Sequence, residues 1–172
     1  MVQLPQTDAA PARAGADAVA WMSPEFAPDL VSVIIPVHDR AALVTQAMES
    51  VLAQSYRPIE LIVVDDGSAD GTSQVASAWC GGHDACPGFR ARCIRQEHSG
   101  APAARNLGLG QSRGEFIQFL DSDDLLRSDK LSVQVGELSA DPSLDFVYSP
   151  LGRFTAAARW DCPGSVGYEL HD

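Results

Sequence analysis

From Leu30 onward, short apolar runs alternate with segments whose apolar residues recur at helical spacing. Val31 to Ile35 is rich in β-branched residues and closed by Pro36, the pattern of a strand buried on both faces. Asp39 is a helix-cap residue. After it, Leu43, Val44, Ala47, Met48, Val51 and Leu52 form one apolar stripe and predict an amphipathic helix. Ile59 to Val64 predicts a second buried strand, ending at Asp65-Asp66-Gly67-Ser68. Asp70 can cap a short helix reaching about Trp79. Cys80 to Arg90 holds three glycines and a proline and predicts a loop. Arg92 to Gln96 predicts a third strand. Pro102 suits the first turn of a helix that ends near Gly108 or Gly110. Phe116 to Leu120 predicts a fourth strand, followed by Asp121-Ser122-Asp123-Asp124. Ser128 can cap a helix carrying Leu131, Val135 and Leu138, and Asp145 to Tyr148 predicts a last strand.

Strands separated by single helices need crossover connections, so the pattern implies an α/β sandwich of Rossmann type with a mainly parallel sheet. Residues 1–29, rich in Ala, Pro, Asp and Gln, read as a disordered lead-in, with Trp21 and Phe26 available to pack on the domain edge. Residues 30–150 read as the ordered domain and residues 151–172 as an irregular C-terminal segment. A length of 172 residues suits one domain, and 45% hydrophobic residues suffice for a core.

The net charge of −11 argues against nucleic acid as a partner. No apolar run is long enough to span a bilayer, which leaves peripheral membrane association open. The N-terminus has no basic stretch followed by an apolar one, so no signal peptide is expected, and the chain reads as cytoplasmic. Cys80, Cys86, Cys93 and Cys162 then read as free thiols, and Cys80-x-x-His83-x-x-Cys86 is not a standard zinc spacing.

Ligands of open parallel sheets bind beyond the carboxyl ends of the strands. Pro36, His38 and Asp39 follow the first strand and Asp65 to Ser68 the second. His98 to Gly100 follow the third, and Asp121, Asp123 and Asp124 the fourth. One sheet edge therefore gathers at least six carboxylates, counting Asp39. Carboxylates at that density repel one another, and a hard divalent cation is their natural partner. An ion held by an Asp-x-Asp turn can neutralise a diphosphate leaving group. Taken singly, each cluster also reads as a turn or a solvated helix cap, Arg105 as a surface ion pair, and His38 and His98 as polar loop residues.

The run from Val31 to Asp39 and the segment Glu60 to Thr72, with its Asp65-Asp66-Gly67-Ser68, resemble the opening of a family 2 glycosyltransferase of the GT-A fold. Gly100-Ala101-Pro102-Ala103-Ala104-Arg105-Asn106-Leu107-Gly108 resembles the family's G-x-x-x-A-R-N-x-G segment, and Gly114 to Asp124 its strand leading into the D-x-D motif. The resemblance implies a three-layer sandwich and transfer from a nucleoside-diphosphate sugar, often a UDP-sugar, with Mn²⁺ or Mg²⁺. It implies that Pro36 and His38 line the nucleotide cleft and that Asp66, with Asp65 beside it, accepts a hydrogen bond from the base. Arg105 falls on the nucleotide side. Asp121 and Asp123, flanking Ser122, take the D-x-D roles towards ribose and metal, with Asp124 as an alternative metal ligand.

The resemblance fades near Pro150. Inverting members use a later carboxylate as general base on the acceptor hydroxyl. Asp161, Glu169 and Asp172 stand in no recognisable motif, so no base is nominated. The expected architecture is thus truncated on the acceptor side, with an unknown carbohydrate or lipid-linked acceptor. The alternative function is a catalytically incomplete nucleotide-sugar-binding fragment. A phosphoacceptor receiver domain would place its paired acids after the first strand. A sugar nucleotidyltransferase would carry a Gly-rich basic loop where His38-Asp39-Arg40-Ala41-Ala42 stands.

Overall fold

The computed structural model describes residues 1–3, 27–83, 86–149 and 152. In it the chain runs β1 (Val2–Gln3), β2 (Ala27–Val37), α1 (Val44–Leu52), β3 (Ile59–Asp66), α2 (Thr72–His83), β4 (Phe89–Gln96), α3 (Ala101–Gly110), β5 (Gly114–Phe119) and α4 (Lys130–Ala140). The sheet order is β1-β5-β2-β3-β4. Strands β2 to β5 are parallel, and β1 adds an antiparallel edge beside β5.

Alternation along the strands builds three layers. Val31, Val33, Ile35 and Val37 of β2 join Leu61 and Val63 of β3 under α1, α2 and α4, whose Val44, Met48, Val51, Ala76, Leu131 and Leu138 fill one core. The opposite face carries Ile62 and Val64 against Ala104 of α3, with Ile94 and Leu107 alongside. Gly108 lets α3 sit this close, since a Cβ there would lie 2.4 Å from Ile34 Cγ2.

Several expectations need correction. Asp39 does not cap α1, which starts at Val44 without a side-chain cap. Asp39 adopts φ 49° and its carboxylate instead accepts the Ala69 N–H at 2.8 Å. Leu43 leaves the apolar stripe and is exposed. Asp70 does bond the Thr72 N–H, at 3.0 Å, but α2 runs on to His83 and β4 begins at Phe89, which shortens the expected loop at both ends. Ser128 caps nothing; Asp129 precedes α4 and also makes no side-chain cap bond. Asp145 to Tyr148 is not a strand but a single antiparallel bridge, Phe146 to Val2, alongside β1. Val2 and Gln3 lie within the stretch read as a lead-in. Trp21, Phe26, Cys162 and the acids after Pro150 lie outside the described residues. Among the described residues, Cys80, Cys86 and Cys93 form no disulfide.

The order of the sheet locates the site. From β2 the chain steps to β3 and β4 on one side, then returns to place β5 on the other. The direction of winding therefore reverses between β2 and β5, and their carboxyl ends part to leave a crevice.

Candidate functional site

A crevice of about 270 Å³ opens there, lined by Pro36, Val37, His38, Arg40, Asp66, Ala101, Arg105, Asp121, Ser122 and Asp123. The segment after β2 supplies its floor and the segment after β5 one wall. The first turns of α3 close the side between them.

Asp66 ends β3 on the α3 face of the sheet and is 2% exposed. Its Oδ1 accepts the Gln96 amide at 2.6 Å and the Ser99 N–H at 2.8 Å. Its Oδ2 accepts the Gly100 N–H at 2.8 Å and faces His98 Nδ1 at 2.9 Å. Burial pushes the carboxyl pKa up, but the Ser99 N–H, the Gln96 amide, the Gly100 N–H and His98 together outweigh it and hold the pKa below the ordinary aspartate value. Asp66 thus stays ionised while it pins the loop that starts α3.

His38 and His98 cover this carboxylate. Their ring centroids are 4.2 Å apart and tilted by 31°. Each turns Nδ1 to the Asp66 carbonyl oxygen, at 2.8 and 3.1 Å. A carbonyl oxygen only accepts, so both Nδ1 atoms carry hydrogen. His38, Asp66 and His98 lie close enough to share a metal ion. As they stand they form a hydrogen-bonded cluster, and an ion there would have to replace those bonds.

Two loops are clasped to hold His38 in place. The Asp39 N–H donates to Ser68 Oγ at 2.9 Å, the Arg40 N–H to Thr72 Oγ1 at 2.9 Å and the Ala41 N–H to Asp70 Oδ2 at 3.1 Å. Asp65 belongs to the opposite face of β3 and does not line the crevice. It is fully buried, accepts the Ser68 N–H at 3.2 Å and sits 3.6 Å from Arg95.

At the far end, Arg105 reaches from α3 to Asp121, Nη2 to Oδ1 at 2.6 Å. Ser122 is buried, whereas Asp121, Asp123 and Asp124 are exposed. Asp124 does not line the crevice, yet burial and the charges of Asp123 and Asp121 raise its pKa. Three neighbouring carboxylates, two of whose charges raise the proton affinity of Asp124, are a donor set for a hard cation. The structure therefore brings together Pro36, His38, Asp66, Arg105, Asp121, Ser122 and Asp123. It adds Arg40, which sequence reasoning passed over although it follows Asp39 at the end of the first predicted strand.

A family model described as glycosyl transferase family 2 matches residues 32–161. The chain belongs to that family. Among its relatives, glycosyltransferase GlyG of Streptococcus pneumoniae is 32% identical over 125 residues, covering 70% of this chain and 40% of GlyG. An uncharacterised glycosyltransferase of Rickettsia felis is 42% identical over 106 residues, covering 61% of this chain and 16% of its own. The fold is similar to that of the mannosyltransferase PcManGT from Pyrobaculum calidifontis, solved in complex with GDP-Man and Mn²⁺. That match has a TM-score of 0.61 and 29% identity, covering 72% of this chain and 36% of PcManGT. It is also similar to S. aureus TarS, solved in complex with UDP, with a TM-score of 0.55 and 28% identity over 64% of this chain and 32% of that one. The chain thus spans well under half the length of these proteins. Among the described residues, no helix is long and apolar enough to cross a membrane.

Proposed function

We propose that this chain forms the donor-binding half of a glycosyltransferase, holding a nucleoside-diphosphate sugar, a UDP-sugar for preference, for transfer to an acceptor hydroxyl with inversion. The observation that carries this reading is the crevice at the reversal of strand order, which joins a polar end to an acidic end. His38 and Asp66 form the first, where the base would lie. Asp121 and Ser122 face the ribose and diphosphate, with Arg105 beside them. Asp123 and Asp121, or Asp124 in place of one of them, offer the hard oxygen ligands that suit Mn²⁺ or Mg²⁺. Such an ion would supply charge neutralisation for the departing nucleoside diphosphate. Arg105, held by Asp121 in this structure, can turn its guanidinium to a phosphate oxygen once a cation draws on that carboxylate.

Asp66 already accepts four donors, so an N–H from the base must take the place of one of them. The span relative to its relatives is compatible with a second reading as well, donor binding without transfer by this chain alone. Calorimetric titration with UDP, GDP and dTDP, each with Mn²⁺ and with chelator, tests the proposal. Metal-dependent binding of one nucleotide is the expected result. A folded chain that binds none of them would refute it. Sugar release from the matching nucleotide sugar, with and without added acceptor, separates the two readings.

A further inference from the structure

Three of the four donors to Asp66 are fixed. The Ser99 and Gly100 N–H groups belong to the backbone that begins α3, and Gln96 is aligned with Asp66 in the sheet register. The fourth, His98, has a side chain 61% exposed. Its ring lies against the His38 ring, and its Nδ1–H is shared between Asp66 Oδ2 at 2.9 Å and the Asp66 carbonyl oxygen at 3.1 Å. A planar nucleobase seated between His38 and Asp66 would make those same two contacts. We infer that His98 is an internal stand-in for the donor's base, stacked on His38 and bonded to Asp66, and that the base must displace it to bind. The inference rests on the donor-site reading above.

The backbone allows this exchange to be a side-chain rotation alone. Gly67, at φ 76°, lets the His98 backbone pack against it, for a Cβ at Gly67 would lie 2.8 Å from His98 N. The loop therefore keeps its Ser99 and Gly100 bonds to Asp66 while the ring swings into the open hollow formed with Gly67, Arg95, Gln96 and Glu97. His98 then sets a threshold for the donor: a ligand lacking a base gains nothing by moving it, and a base must outcompete both its stacking and its hydrogen bond.

Full-chain protein titrated in Mn²⁺ with UDP and with base-free ribose 5-diphosphate tests this. His98→Ala is expected to bind UDP roughly tenfold more tightly, the return from no longer displacing a donor on a charged acceptor, and to leave ribose 5-diphosphate unchanged. His98→Phe, which keeps a ring but no donor, is expected between wild type and His98→Ala. Unchanged or weaker UDP binding by His98→Ala would overturn the inference and make His98 a bystander or a direct base contact. If the wild-type chain and both variants all fail to bind either ligand, the donor-site reading itself falls, and this inference with it.

Discussion

Replacing Asp66 by Asn keeps size and shape and removes the charge, so it isolates what the carboxylate holds together. The wild-type side chain is 2% exposed and accepts four donors, two on each oxygen. Asn offers one acceptor oxygen and one NH₂ group. Whichever way it turns, two donors lose their acceptor and face another donor. Hydrogen bonds to a charged group are worth about 1.5–3 kcal/mol each, so the loss is about 3–6 kcal/mol, a large part of the stability of a single domain. Because folding depresses the Asp66 pKa, its stabilisation is fully present above the unfolded value near 3.8 and is lost as pH falls through the folded value. Urea denaturation of wild type and Asp66→Asn at neutral pH should show that gap, and it should close in strong acid. Hydrogen exchange should show the Ser99 and Gly100 amides losing protection. A variant within about 1 kcal/mol of wild type, with both amides still protected, would refute this role for Asp66.

Other substitutions probe the layers and the acidic end. Gly108→Ala gains about 1 kcal/mol in helix propensity but forces a methyl to 2.4 Å from Ile34 Cγ2, a clash worth about 1–3 kcal/mol, so a net lower melting temperature is expected. Gln54 is buried, donates to the Ser50 and Arg127 carbonyls and accepts the Leu131 N–H, tying α1 to α4. Gln54→Leu strands those groups and should cost about 2–4 kcal/mol in chemical denaturation. The Asp124 pKa is raised in the fold, so its ionisation opposes folding above the unfolded value. Asp124→Asn should therefore stabilise the metal-free protein at neutral pH, by under about 1 kcal/mol at this exposed site, and should lose that advantage in acid.

The strands that form the sheet centre were legible because β-branched runs buried on both faces have few other uses. The helix starts were less so. Asp39 looks like a cap, but its carboxylate is claimed by Ala69 from a loop 30 residues later, a pairing no local pattern contains. Two-residue β1 is too short to show a period, and the bridge from Phe146 depends on it. Within the crevice, the acids after β3 and β5 stood out because strand ends are where such a sheet binds. Setting Asp65 beside Asp66 in the site misses the alternation of strand side chains, which puts Asp65 on the face of α1 and α2 and Asp66 at the crevice. The pairing of His38 with His98 was not legible, since it needs β2 and β4 brought to either side of β3.

Paramagnetic broadening by Mn²⁺ locates the ion, and with it the donor site, most directly. With UDP present, amide signals from Asp121 to Leu125 and the Arg105 side chain should broaden at the lowest Mn²⁺ concentrations, with His38 following as the nucleotide fills the crevice. Broadening centred on another acidic stretch, such as Asp141 to Asp145, or spread evenly over the acidic surface, would contradict a donor site between β2 and β5.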